Sequence, residues 1–340
     1  MEDIVVKKTK QLTIDLHAHM VVQKAEARVR TRPQWSVVQE VMRKTLGERS
    51  YRYNLEQEDL LLPKSTDIGL RLADMDRMGV DIQAISPSPT QYHFWAEPEL
   101  AAAIVADQNE HIVEVCTTHP DRFVGIGAVA LQHPELAVSQ LEDCIKRFRF
   151  KGVEISTAYM GVELSDARFE PFWRRAEELG ALILIHPLGS TLGDRIVPYY
   201  LSNIIGQPLD TTIALSHLIF SGVFDRYPKL KICAAHGGGY LTAYIGRFDH
   251  AYRVRPESNT MRRLPSEYLR QIYFDTVVFR PDILSDLIAR AGIGQIVLGT
   301  DYPFDMGDYD IQALLEQVPC LDDIGHNAVR GGNAKQLLRL

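Results

Sequence analysis

Residues 12–19 read LTIDLHAH, an apolar run that closes on two histidines two positions apart. Side chains alternate between the faces of a strand, so this spacing sets His17 and His19 on one side. Three later runs close in the same manner. Residues 181–187 (ALILIHP) end in His186 and a proline, residues 231–239 (KICAAHGGG) in His236 and three glycines, and residues 295–304 (QIVLGTDYPF) carry Asp301 past their apolar part. When parallel strands close into a barrel, their carboxyl ends converge on one mouth, and barrel enzymes carry their chemistry there.

Working outward, eight short runs rich in Val and Ile qualify as strands: Leu12–Leu16, Ile82–Ser86, Phe123–Ala128, Gly152–Ile155, Ala181–Ile185, Lys231–Ala235, Gln271–Phe274 and Gln295–Leu298. Most are followed by an amphipathic stretch, near 66–79, 98–119, 133–149, 165–179, 208–222, 237–252, 281–291 and a C-terminal pair around 310–338. Ser165-Asp166 and Pro281-Asp282 are helix-entry signals. The alternation predicts an α/β chain folded as a distorted (β/α)8 TIM barrel, one domain over 1–340 with C-terminal helices; a doubly wound sheet shares the alternation and is the alternative. Residues 20–65 break the pattern, with a basic, Trp-containing stretch, a helix-like segment and then YRYNLEQEDLLLP. They are expected to form an insertion subdomain on a βα loop, serving as a lid or a dimer contact. A second long βα loop is expected over 187–207.

With 46% hydrophobic and 24% charged residues, the chain of 340 residues is neither disordered, coiled-coil nor collagen-like. A net charge of -7 and the lack of a basic stripe argue against nucleic acid and acidic membrane as partners, which leaves a small molecule. The acidic start, MED, is unlike a signal peptide, and no apolar run spans a bilayer, so a cytoplasmic protein is expected. Four cysteines without CxxC spacing imply no disulfide framework or zinc ribbon. No P-loop or GxGxxG fingerprint accompanies the glycines, so no organic cofactor is expected.

The four polar strand ends carry the chemistry. His17, His19, His186 and Asp301 offer three nitrogens and one oxygen to one divalent metal ion, leaving positions for water or substrate. Zinc is expected, with manganese, cobalt or iron as alternatives. His236 is better used as an acid or base than as a fifth ligand, with Asp301 beside it in the catalytic machinery. The glycines after His236 either let a backbone or an anion approach or simply make a tight turn. Trp95 is a packing residue or a wall of the pocket; Arg280 is a carboxylate clamp or a solvated helix-start residue.

DLHAH (15–19), IHP (185–187), GVFDRYPKLKICAAHGGGYLTAYIGRFDH (222–250) and VLGTDYPF (297–304) together resemble the aminocarboxymuconate-semialdehyde decarboxylase branch of the amidohydrolase superfamily, over about residues 12–335. The resemblance implies a distorted (β/α)8 barrel, one divalent metal held by His17, His19, His186 and Asp301, a catalytic His236, and non-oxidative release of CO2. It also implies two substrate-binding arginines. One matches Arg247, which would reach into a neighbouring subunit of a homodimer or higher oligomer. The other falls at Leu62, with Lys64 two residues on as a weaker point-charge substitute. The expected substrate is therefore a small carboxylate, either a hydroxylated aromatic acid or a carboxymuconate-semialdehyde-type ring-cleavage product, with metal-bound water and His236 supplying acid–base catalysis. A hydratase or hydrolase of an aromatic-degradation intermediate is the rival reading, and a metal-stabilised scaffold a third.

Overall fold

The computed structural model describes residues 11–189 and 192–340. Residues 1–10, which include the acidic start, and residues 190–191 of the 187–207 loop lie outside the described residues. Eight parallel strands pair in chain order: β1 (Ile14–Met20), β2 (Ile82–Pro87), β3 (Phe123–Ala128), β4 (Gly152–Ile155), β5 (Leu182–Ile185), β6 (Lys231–Ala234), β7 (Ile272–Asp275) and β8 (Ile296–Val297). The ends of the sheet meet where Leu16 N donates to Leu298 O at 2.8 Å, His19 N to Tyr302 O at 2.7 Å and Asp301 N to His17 O at 2.8 Å. The expected (β/α)8 barrel is thus the fold. Each predicted strand is present, although β1 runs on through both histidines instead of ending at Leu16. A two-residue hairpin, Ala158–Tyr159 with Val162–Glu163, was not anticipated.

Period-two patterning sorts the strand residues. Ile14, Leu16, Ala84, Ile126, Leu182, Leu184, Cys233 and Val297 fill the barrel interior, closed from below by Ala334, Leu337 and Leu338 of the C-terminal helix. Their neighbours Ile183, Ile185, Ile232, Ile296 and Leu298 face the helices, in a larger core with Phe172, Trp173, Phe224 and Tyr268. Ser86 and His186 stand two residues beyond Ala84 and Leu184, Glu154 and Asp275 two beyond Gly152 and Tyr273, and Asp301 four beyond Val297, so the mouth continues the alternation of the core. In β1 that rule needs one adjustment. Its pairing shifts between Asp15, opposite Gln83, and Ala18, opposite Ile85, so one extra residue sits on β1. The bulge moves the inward face from Ile14 and Leu16 to His17 and His19, while Asp15, between Ile14 and Leu16, faces outward by the ordinary alternation.

Residues 20–65 form three helices, α1 (Gln23–Arg30), α2 (Pro33–Leu46) and α3 (Glu48–Thr66), ahead of α4 (Ile68–Met78). YRYNLEQEDLLLP lies within helix α3, with Pro63 in its last turn. The 192–206 segment leans on these helices: a side chain at Gly47 would meet Val197 Cγ1 at 2.7 Å. Among the described residues, no helix is long and apolar enough to cross a membrane.

Below the mouth, the outward Asp15 enters a buried polar network. Its carboxylate accepts from Thr300 N at 3.0 Å, Thr300 Oγ1 at 2.6 Å and Gln83 Nε2 at 2.8 Å. Arg71 of α4, wholly buried, donates to Gln83 Oε1 at 2.7 Å and to the His19 carbonyl, and lies 4.7 Å over the Tyr302 ring. Burial lowers its pKa to about 10, which leaves it cationic at neutral pH. The network clamps β1, β2 and the β8 end together under the histidines. Replacing Arg71 by Met would strand these acceptors and leave Asp15 without its countercharge. We expect a loss of about 3–5 kcal/mol in urea unfolding, the usual cost of breaking a buried charge pair; a loss below about 1 kcal/mol would show that the network is not structural.

Candidate metal centre

Four ligand atoms converge at the mouth. His17 Nε2 lies 3.0 Å from His19 Nε2 and 3.3 Å from Asp301 Oδ1; His19 Nε2 is 3.1 Å and His186 Nε2 3.9 Å from the same oxygen. The protonation of each ring follows from its other nitrogen. His17 Nδ1 donates to Asp275 Oδ2 at 2.7 Å, and His186 Nδ1 to the Pro187 carbonyl at 2.8 Å. His19 Nδ1 faces Ser86 Oγ at 3.1 Å, and Ser86 spends its own hydrogen on Glu154 Oε2 at 2.6 Å. With Nδ1 as the donor, each neutral ring turns an Nε2 lone pair towards the Asp301 carboxylate. Among the described residues, His186 Nε2 and Asp301 Oδ1 are buried without a hydrogen-bond partner. Lone pairs gathered this closely repel unless a cation lies among them, so the donor set fits one divalent metal ion.

The electrostatics agree. Burial opposes ionisation of Asp301, yet the surrounding histidines, His17 foremost, hold its carboxyl well below the usual range. Burial drives His186 well below the ordinary histidine pKa and keeps it neutral. His17 is also penalised by burial, but Asp301 and Asp275 outweigh this and raise it to about 9. The carboxylates thus demand positive charge at this point, which a proton on His17 or a metal ion in its place can meet.

His236 completes the cluster. Its Nε2 lies 3.3 Å from Asp301 Oδ2, and its buried Nδ1 has no partner among the described residues. The ligand atoms of His17, His186, His236 and Asp301 all lie within 4.8 Å of one another. The backbone of His236 is left-handed, with φ 55°, and the glycines after it turn sharply into the helix Leu241–Val254. Gly239 has φ 64°, and a Cβ there would stand 2.0 Å from the Pro208 carbonyl. Conformation and crowding therefore account for glycine at 239, as a tight turn requires.

The candidate substrate residues are not gathered here. Arg280 is a correction: its guanidinium is 69% exposed and forked onto Asp282 with both contacts at 2.9 Å, so it is a solvated helix-start residue. Lys64 is exposed at the end of α3, and only its carbonyl joins the mouth, accepting from Arg71 at 3.4 Å. Trp95 is half-buried against a satellite cluster with Val22, Ala25 and Val29, its ring 6.1 Å from His93. Arg247 is exposed on the helix Leu241–Val254. Conversely, Asp275, Glu154, Ser86 and Tyr92 were missed; Tyr92 donates to Glu154 Oε1 at 2.6 Å. Asp275 and Glu154 were within reach of the same signal, since each stands two positions beyond an inward residue of its strand.

The amidohydrolase family profile matches residues 14–340. The chain is 34% identical to 2-amino-3-carboxymuconate-6-semialdehyde decarboxylase of Dictyostelium discoideum over 276 residues, 81% of this chain and 77% of that protein. It is 27% identical to gamma-resorcylate decarboxylase of Rhodococcus jostii over 253 residues, 69% of this chain and 77% of that one. Among solved structures, 5-carboxyvanillate decarboxylase of Novosphingobium aromaticivorans, complexed with manganese and 4-hydroxy-3-methoxy-5-nitrobenzoic acid, superposes with a TM-score of 0.86 at 21% identity, over 97% of each chain.

Removing the oxygen that the nitrogens surround should abolish metal retention without unfolding the barrel. Asp301→Ala is expected to weaken metal binding by more than about 100-fold, beyond the 10–100-fold typical of groups behind a ligand, with an unchanged circular dichroism spectrum. Full metal content by elemental analysis after dialysis would remove Asp301 from the donor set.

Proposed function

The chain belongs to the amidohydrolase family, among the decarboxylases related to aminocarboxymuconate-semialdehyde decarboxylase, and on that premise we propose that its mouth removes CO2 from a small carboxylate. It is a metal-dependent carboxy-lyase. Its substrate is a hydroxylated aromatic acid or a carboxymuconate-semialdehyde-type ring-cleavage product, the two kinds of acid named for its decarboxylase relatives. The observation that carries this reading is the convergence of three imidazole lone pairs on Asp301 beside a histidine with a free Nδ1.

His17, His19, His186 and Asp301 would hold the ion, zinc or the manganese that accompanies the carboxyvanillate enzyme. When bound, it supplies positive charge that stabilises negative charge developing on a substrate oxygen. Departure of CO2 leaves an electron pair on the carbon that bore it, and one proton must take its place. His236 is placed to hold that proton: its Nε2 faces the ionised Asp301, while its Nδ1 is unpaired. Asp301 thereby serves both sides, as a ligand through Oδ1 and as the partner of His236 through Oδ2. Phe304, 5.4 Å from the His19 ring, lends an apolar wall that helps exclude water. Arg247, exposed on its own subunit, would touch substrate only from a second copy of the chain.

Two measurements test this. Purified, metal-analysed protein is offered hydroxybenzoates and carboxymuconate semialdehydes, with a chelated sample beside each. CO2 release that vanishes on chelation is expected; a change in the substrate's ultraviolet band without CO2 would overturn decarboxylation in favour of water addition. His236→Ala is expected to retain the ion and lose about 10²–10⁴-fold in kcat, the range for a positioned acid or base. Undiminished kcat would remove His236 from the reaction.

A further inference from the structure

Asp275, at the end of β7, is wholly buried, and each of its oxygens accepts twice. Oδ2 takes the Nδ1 hydrogen of His17 at 2.7 Å and the backbone N–H of His236 at 2.9 Å. Oδ1 takes the backbone N–H of Gly237 at 2.8 Å and of Val277 at 3.1 Å. One carboxylate therefore grips a metal-facing imidazole on β1 and the left-handed turn that carries His236 after β6. In the order of the barrel, β7 and β8 stand between these two elements.

We infer that Asp275 is a positioning residue that couples the metal centre to the acid–base histidine. Its effect on His17 is tautomeric. A carboxylate can only accept, so the hydrogen is fixed on Nδ1 and the lone pair on Nε2, the atom turned towards Asp301. Its effect on His236 is conformational. A non-glycine residue at φ 55° persists only where its surroundings over-determine it, and two successive N–H groups caught by one carboxylate supply that restraint. The shared oxygen Oδ2 makes the two effects interdependent: moving Asp275 to suit one partner withdraws it from the other. Asp275 itself reaches no reacting atom.

Asp275 takes this role only if the mouth holds a metal ion, as proposed above, and the test needs no substrate. The full chain is loaded with Zn2+ as a diamagnetic probe and labelled with 15N. In the wild type, the His17 ring is expected to show a protonated Nδ1 with a strongly downfield proton and a metal-bound Nε2, and the His236 and Gly237 amides are expected to resist hydrogen exchange. Asp275→Ala should weaken Zn2+ binding by about 10–100-fold in chelator competition and lose the protection of both amides. Binding within about twofold of the wild type, or amides as protected as before, would overturn the coupling. Should the variant fail to fold, the wild-type spectrum decides: a His17 ring protonated at Nε2 would overturn it. Wild-type protein that binds no Zn2+ would sink the metal reading and this coupling with it, whereas absence of decarboxylation alone would leave the coupling standing.

Discussion

Asp301 Oδ1 has three imidazole nitrogens aimed at it from within 3.1–3.9 Å, and much of the mouth is arranged so that each ring, when neutral, keeps its hydrogen on the other nitrogen. Each ring is pinned from behind by a different acceptor: a carboxylate for His17, a serine oxygen backed by a carboxylate for His19, and its own neighbour's carbonyl for His186. These contacts cost the chain buried polar groups in what is otherwise a tightly packed apolar barrel. Most such groups at the mouth have partners; among the described residues, Asp301 Oδ1, His186 Nε2 and His236 Nδ1 are the mouth atoms left without one. Unpaired acceptors gathered at one point are the arrangement expected of a cation site.

The barrel supplies the convergence, and one irregularity in it is as necessary as the regular part. Without the extra residue between Asp15 and Ala18, the alternation that puts Ile14 and Leu16 inside would also put Ala18 and Met20 inside, and His17 and His19 would face the helices. Just ahead of the bulge, Asp15 faces outward by ordinary alternation and meets Gln83, which also contacts the buried Arg71. The site and its support thus lie on the two faces of one strand, and the hydrogen bonds that close the barrel at β1 run through its residues Leu16, His17 and His19.

Most of this fold was legible because its signals are local. Short apolar runs, strand-end polar residues and helix-entry pairs each lie within a few positions, and they located the eight strands and the residues now found at the mouth. What escaped has a common physical origin. The bulge leaves no residue signature in IDLHAHM, since it shows only against the register of β2. Asp275 and Glu154 look like ordinary strand residues until the inward phase of their strands is known, and their partners lie 258 and 68 residues away in sequence. Arg280 erred in the opposite direction: an arginine at a helix start beside an Asp two positions on satisfies itself locally, as its fork onto Asp282 demonstrates. YRYNLEQEDLLLP, given no secondary structure beforehand, is helical, because its proline falls in the last turn, where it costs the helix least.

Counting buried charge explains why a metal ion alone would leave this mouth incomplete. Arg71 offsets Asp15 through the Gln83 amide that both contact. Asp275, Asp301 and Glu154 remain, all acting as acceptors at the mouth, and a divalent ion balances two of the three. The third needs a positive charge that can come and go, because the reaction proposed here consumes one proton for each CO2 released. A fixed cation such as arginine would balance the charge but hold no transferable proton. A histidine against Asp301 can do both, and His236 is the ring that lies there with one nitrogen free. The excess of carboxylates over fixed cations thus favours both the ion and the proton that the chemistry requires.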